Sequence, residues 1–137
     1  LFHTGLHGRY LEHTFLDTEV AISLPRFNEA ECGEFRPDFT VDDKTFVQFM
    51  TALRLFLPRA GLTVSTRESA EFRDRILPLG ATRYSAASST GVGGYTATPA
   101  EQTPQFEITD TRSVEEVAAA ITARGYQPVY KDWDLIA

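Results

Sequence analysis

The stretch Gly61–Gly80, GLTVSTRESAEFRDRILPLG, decides the reading of the fold. It opens with Leu62 and Val64 on alternate positions, an apolar strand face whose other side carries Thr63, Ser65 and Arg67. Ser69 then stands where a helix cap belongs. Phe72, Ile76 and Leu77 follow at helical spacing, and Pro78 and Gly80 close the segment. A strand that passes directly into a helix is half of a parallel β/α unit. This strand ends in charge, with Arg67 beside Glu68. A charge at the end of a core strand is costly unless something meets it. The sequence leaves three partners open for Arg67: Glu68, Asp74, or an anionic ligand.

The same order recurs on both sides. Leu1–Phe15 is helix-like, with Phe2, Leu6 and Tyr10 spaced by four, and EVAISLPRF (Glu19–Phe27) alternates Val20, Ile22 and Leu24 against Ala21 and Ser23. Asn28–Phe39 reads as a loop. Thr40 with Asp43 predicts a capping box. It opens a helix with the stripe Phe46, Phe49, Met50, Leu53 and Phe56 or Leu57, ended by Pro58. Downstream, Thr82–Ser88 predicts a third strand, with Tyr84 on the bulky face and Ser85 and Ala87 on the small one. Ser89–Tyr95, STGVGGY, has glycines without phosphate-loop spacing or a following lysine and reads as flexible backbone; a polar loop runs on to Gln105. Ser113 with Glu116 predicts a second capping box, opening a helix that faces inward through Val117, Ala120 and Ile121 and ends at Gly125. Tyr126–Trp133 is an extended tail with an aromatic anchor.

Three strands alternating with helices predict right-handed βαβ units and a parallel sheet, part of a larger α/β barrel or open sheet. A doubly wound sheet is apolar on both faces. Here one face is bulky and the other small or polar, which favours a barrel whose lumen holds a polar ligand.

The chain has 137 residues, 42% of them apolar, enough for one domain with a core. A net charge of -6 argues against nonspecific nucleic-acid binding. No apolar run approaches the ~20 residues of a membrane-spanning helix, and nothing resembles a signal peptide. The default location is therefore the cytoplasm. Leu1 opens what reads as mid-helix, so the chain is expected to be a piece of a longer polypeptide. Its single cysteine, Cys32, excludes an internal disulfide framework and a multi-cysteine cluster site within the chain. It lies in a polar loop without a histidine neighbour.

Parallel barrels keep their sites at the C-terminal ends of the strands. Arg67 stands at such an end, in phase with the polar face. Its planar guanidinium suits a carboxylate, which it grips bidentately. Ser65 shares that face, and Ser85 and Ser88 follow the next strand, where they could donate to the same anion. Glu68 is read as a surface or capping residue rather than a general base. Arg73, Asp74 and Arg75 read as a solvated helix face that pairs with itself. His3 and His7 have zinc-binding spacing, but HTGLH lacks the glutamate of a zinc protease, and they read as surface histidines. No metal-ligand set is expected.

Three segments together carry a resemblance: LTVSTRESAEFRDRILPLGATRYSAASSTGVGGY (Leu62–Tyr95), PQFEITDTRSVEEV (Pro104–Val117) and GYQPVYKDWD (Gly125–Asp134). In this order they resemble the C-terminal part of the 2-iminoacetate synthase family, the radical S-adenosylmethionine tyrosine lyases of thiamin thiazole synthesis. ISLPRF (Ile22–Phe27) resembles that family's preceding strand. The run from STRES to GGY is shared by the hydrogenase-maturation tyrosine lyases. Those carry a cysteine-containing C-terminal extension for a second iron–sulfur cluster. The tail YKDWDLIA (Tyr130–Ala137) has no cysteine, which favours the thiamin enzyme.

The resemblance implies an α/β fold, the C-terminal portion of a (β/α)8 TIM-type barrel. About three parallel βα units would occupy residues 1–90. A loop, helix and tail in 91–137 would close the barrel, and the region corresponds to the biotin and thiamin synthesis associated domain. It implies cleavage of L-tyrosine to 2-iminoacetate and p-cresol, with S-adenosylmethionine and a [4Fe-4S] cluster held by a Cys-x-x-x-Cys-x-x-Cys motif. That motif is absent here, so the chain alone is expected to bind no cofactor and to be inactive. By the same resemblance Arg67 grips the substrate carboxylate and Ser85 is its companion. Arg26, of the Pro25–Arg26 step, faces S-adenosylmethionine or closes the barrel top. Tyr84 stands where an aliphatic residue is expected and is not catalytic. The implied partners are the thiazole synthase and the sulfur-carrier protein of the thiamin pathway; neither nucleic acid nor membrane is implied. The isolated piece, with open strand edges, is expected to self-associate. The alternative is a noncatalytic module docking a partner through Trp133 and Tyr130, against plain packing of that tail.

Overall fold

The computed structural model describes residues 1–27, 37–90 and 107–130. Its elements run α1 (Phe2–Thr14), β1 (Ala21–Ser23), α2 (Asp43–Phe56), β2 (Gly61–Val64), α3 (Ala70–Ile76), a 3-10 turn (Leu77–Leu79), β3 (Arg83–Tyr84) and α4 (Val114–Ala123). The strands form one parallel sheet in the order β1-β2-β3. Ala21 pairs with Gly61 and Ser23 with Thr63; Thr63 in turn pairs with Arg83 and Val64 with Tyr84. Sequential neighbours in one direction require a crossover between each pair, and α2 and α3 supply them.

The core lies on one side of this sheet. Ile22, Leu62 and Val64 meet Phe46, Met50 and Leu53 of α2, its C-cap Leu57, and Phe72 and Ile76 of α3 in a single buried cluster, with Tyr84 packed against it. The opposite face is the small and polar one: Ala21 and Ser23 are exposed, and Thr63 and Ser65 are half-buried. Both crossover helices therefore cover the same face.

Helix α1 packs closely against this layer through its two glycines. A Cβ on Gly8 would stand 2.8 Å from Leu57 Cδ1 and 3.5 Å from Ile22 Cδ1, and both side chains are buried. Gly8→Val is therefore expected to lower stability by about 1–3 kcal/mol through overpacking. A lowered urea midpoint with an unchanged slope is the expected signature; an unaltered midpoint would refute the close approach.

Two local expectations are corrected and one open choice is settled. The N-cap of α2 is Asp42, whose side chain accepts the Thr45 N–H at 2.7 Å, so no Thr40–Asp43 box forms. The chain reaches a helical turn later than Thr40, and a carboxylate at the cap also suits the positive end of the helix. Of the Phe56 or Leu57 pair, Leu57 is buried and Phe56 is largely exposed. The third strand is shorter than Thr82–Ser88, ending at Tyr84; Ala87 adopts φ 48°, a left-handed conformation that breaks the extended run.

Other signals hold. Ser69 caps α3 by accepting the Phe72 N–H. The Ser113–Glu116 box is reciprocal, at 3.2 and 2.8 Å. Gly80 and Gly125 take positive φ, 109° and 82°, where their helices stop. Cys32, residues 91–105 and Trp133 lie outside the described residues. Tyr130, expected to pack, is 71% exposed. Among the described residues no helix is long and apolar enough to cross a membrane.

Candidate functional site

Function in a parallel β/α layer collects where the strands end, because the loops there point the same way. Here those ends carry Arg26 after β1, Ser65 to Glu68 after β2, and Ser85 to Ser88 after β3.

Arg67 is half-buried. Its Nη1 reaches toward β1, donating to the Arg26 carbonyl at the long distance of 3.5 Å, and its backbone N–H donates to Ser65 Oγ at 3.3 Å. The two ion partners that the sequence offered it are engaged elsewhere. Glu68 pairs with Arg26, and Asp74 pairs with Arg112 and Arg124 at 3.1 Å each. Ser85 lies on the other flank of β2: its N–H donates to the Val64 carbonyl at 3.2 Å, which places it beside Ser65. Ser85 and Ser88 are both half-buried.

Glu68 departs from its expected surface or capping role. It is 3% exposed, and the Arg26 guanidinium closes over it. Arg26 Nε stands 3.0 Å from both carboxylate oxygens, and Nη1 donates to Asp43 at 2.7 Å and to the Val41 carbonyl at 3.2 Å. The guanidinium carbon also lies 5.2 Å from the Phe46 ring centre and 4.8 Å from that of Phe72. Hydrogen bonding to Glu68 drives the Arg26 pKa up, against the lowering effect of burial. Arg26 therefore clasps β1, β2 and α2 together at the rim.

The largest correction concerns Arg73, Asp74 and Arg75. Only Arg75 belongs to a solvated, self-pairing face, with Glu71 one turn back. Arg73 is completely buried and pairs with Asp110, itself 1% exposed; its second Nη donates to the Ser85 carbonyl. Arg112 closes the group, bonding Asp110 through Nη2 at 2.7 Å and Asp74 through Nη1 at 3.1 Å. Burial pulls the Arg73 pKa down, and it pushes the Tyr84 phenol up. The Tyr84 hydroxyl donates to the Arg73 carbonyl at 2.9 Å, and its ring lies under the guanidinium at 5.1 Å. Tyr84 thus has a packing role on the helix-facing side.

A phase signal for Arg73 was present in the sequence. Consecutive helical residues point about 100° apart and cannot share a face. Arg73 stands three residues before Ile76 and four before Leu77, in phase with the apolar stripe. For Asp110 and Arg112, which fold back from a distant segment, the sequence carried no comparable signal.

His3 and His7 are exposed, and no group of three or more metal-ligating side chains occurs among the described residues. A cavity of about 670 Å³ begins at the starts of β2 and β3, beside Gly61 and Thr82, runs under Val117 and Ile121 of α4 and is also lined by Ala86. None of Arg67, Ser65, Ser85 or Ser88 lines it.

A parallel sheet backed by helices on one face, with arginine and hydroxyl groups at its strand ends, is an α/β layer. Residues 23–127 match the model of the Biotin and Thiamin Synthesis associated domain, and the chain belongs to that family. It is 41% identical over 128 residues to the 2-iminoacetate synthase of Escherichia coli (strain K12), and 39% identical to that of Salmonella typhimurium (strain LT2). Each match covers 93% of this chain and 33% of the relative, so the chain spans about a third of the length of these relatives. Among solved structures it is similar to HydG, a maturase of the [FeFe]-hydrogenase, with a TM-score of 0.78 and 35% identity over 91% of this chain and 27% of that one. HydG from Carboxydothermus hydrogenoformans gives a TM-score of 0.78 and 30% identity over 95% of this chain and 29% of that one.

Proposed function

We propose that this chain is the C-terminal part of a radical S-adenosylmethionine lyase that cleaves L-tyrosine to 2-iminoacetate and p-cresol for thiamin thiazole synthesis. The observation that carries the reading is Arg67. It stands at the exit of β2, in phase with the sheet face that the helices leave uncovered. Identity to 2-iminoacetate synthases over 93% of the chain supports the same reaction, and the lower identity to HydG favours the thiamin enzyme over a hydrogenase maturase.

In this reading the sheet is a sector of a (β/α)8 barrel. Sequential strand order and helices confined to one face support that geometry. Arg67 binds the tyrosine carboxylate bidentately, and Ser65, Ser85 and Ser88 supply hydroxyl donors around it. Arg26 is a rim clasp rather than a cofactor contact, because its donors and its face are already occupied. The [4Fe-4S] cluster does not fit on this chain, which has one cysteine where such a cluster takes several thiolates. The enzyme would work in the cytoplasm with the thiazole synthase and the sulfur-carrier protein.

Arg67→Ala in the full-length enzyme is expected to weaken tyrosine binding about 10- to 100-fold. A charge-assisted hydrogen bond is worth roughly 1.5–3 kcal/mol. S-adenosylmethionine binding should stay unchanged. Equal tyrosine affinity in mutant and wild type would remove the assignment.

A further inference from the structure

Ladder pairing between β2 and β3 stops at the Ser85 N–H, which donates to the Val64 carbonyl. Beyond that point a different linkage joins the two exits. The Ser85 carbonyl accepts from Arg73, and Arg73 pairs with Asp110. The Asp110 and Thr109 N–H groups both donate to the Thr66 carbonyl at 3.0 Å, one residue before Arg67. The Ala87 N–H donates to the Arg112 carbonyl at 3.2 Å, fixing the same returning segment to the far side of Ser85.

The side chain of Arg73 is a poor choice if its task were only to fill space. It is 0% exposed, and its Nε has no hydrogen-bond partner among the described residues. A leucine or methionine there would strand no donor, and buried ion pairs are often replaced by apolar residues without loss of stability. What a leucine cannot do is grip a carbonyl and a carboxylate at once. A guanidinium can, because its donors form a rigid fork.

We infer that Arg73 and Asp110 are positioning residues for the carboxylate-binding rim, setting the separation of Arg67 from Ser85 across the gap where the sheet no longer does so. The inference rests on the reading of Arg67 as the tyrosine-carboxylate ligand. Neither residue touches the substrate; each acts through the backbone of its neighbour. A change in either should move Arg67 and Ser85 out of register with one carboxylate. A displacement of about 1 Å in a positioned group is enough to cost large factors.

The test uses the full-length enzyme that carries this chain. Arg73→Met with Asp110→Leu removes both buried charges, so the fold should persist; Arg112 keeps Asp74 but loses Asp110, and the urea midpoint should fall less than when Asp110 alone is replaced. Tyrosine should bind at least 10-fold more weakly, and S-adenosylmethionine equally well. Placed in an Arg67→Ala background, the same pair should change tyrosine affinity by less than 2-fold, because the group they position is gone. Arg73→Lys covers the case in which the double variant does not fold. It keeps the charge but not the fork, and should raise the tyrosine Kd at least 5-fold. Full additivity with Arg67→Ala, or an unchanged Kd in Arg73→Lys, overturns the inference. A wild-type enzyme that binds no tyrosine overturns the functional reading instead, and the inference falls with it.

Discussion

Asp110→Asn is expected to lower the stability of the protein by about 3–5 kcal/mol, the usual result of removing one partner of a buried pair. The fully buried Arg73 guanidinium then has no counter-charge, and Arg112 loses its main acceptor. The dependence on pH is equally specific. Burial alone pushes the Asp110 carboxyl up, but the hydrogen bonds from Arg112 and the charge of Arg73 bring it down to about 2. An aspartate in the unfolded chain titrates near 3.9. The folded chain therefore holds this group deprotonated where the unfolded chain has begun to protonate it. Its contribution, on the order of 2–3 kcal/mol, is present in full above about pH 5 and is lost as the pH falls toward 2. Urea midpoints measured from pH 6 down to pH 2 should decline more steeply in wild type than in Asp110→Asn. Parallel curves would show that Asp110 does not carry this dependence.

Arg26→Ala should cost about 3 kcal/mol, more than most surface substitutions. The reason lies in Glu68, which is 3% exposed and would lose the guanidinium that pairs with its carboxylate. Arg26 itself keeps some solvent contact, so the loss falls short of that for a fully enclosed pair. The stack of the guanidinium on Phe46 and Phe72 goes with it. Replacing both partners, Arg26→Met with Glu68→Leu, should recover most of the stability. If the double replacement is as damaging as the single one, the contribution comes from Arg26 packing and not from its pairing with Glu68. Asp43, the second acceptor, is exposed and adds little.

What could be read from the chain follows from how local each signal is. Strand phase was legible: the alternation in EVAISL and LTVST separates the face that meets α2 and α3 from the face that does not. Helix starts at Ser69 and Ser113 were legible because caps are short-range chemistry. At Thr40 two rules competed, and the nearer acidic residue, Asp42, won. The rim was legible in part. The position of Arg67 at a strand end follows from phase alone, but the fates of its neighbours do not. Glu68 reads as a surface or capping residue because its partner, Arg26, comes from another strand, 42 positions away. Arg73 reads as solvated when charge is weighed above helical phase. Its partner Asp110 is 37 positions away. Long-range ion pairs leave no periodicity, so sequence reading defaults to the surface.

Thr109 and Asp110 are fastened to the Thr66 carbonyl, and the Arg112 carbonyl to the Ala87 N–H. The entropy of closing a span of chain grows only logarithmically with its length, about 0.6 kcal/mol for each doubling. The stability of the rim therefore rests on the fastened residues themselves and little on how many residues separate Glu107 from Thr90.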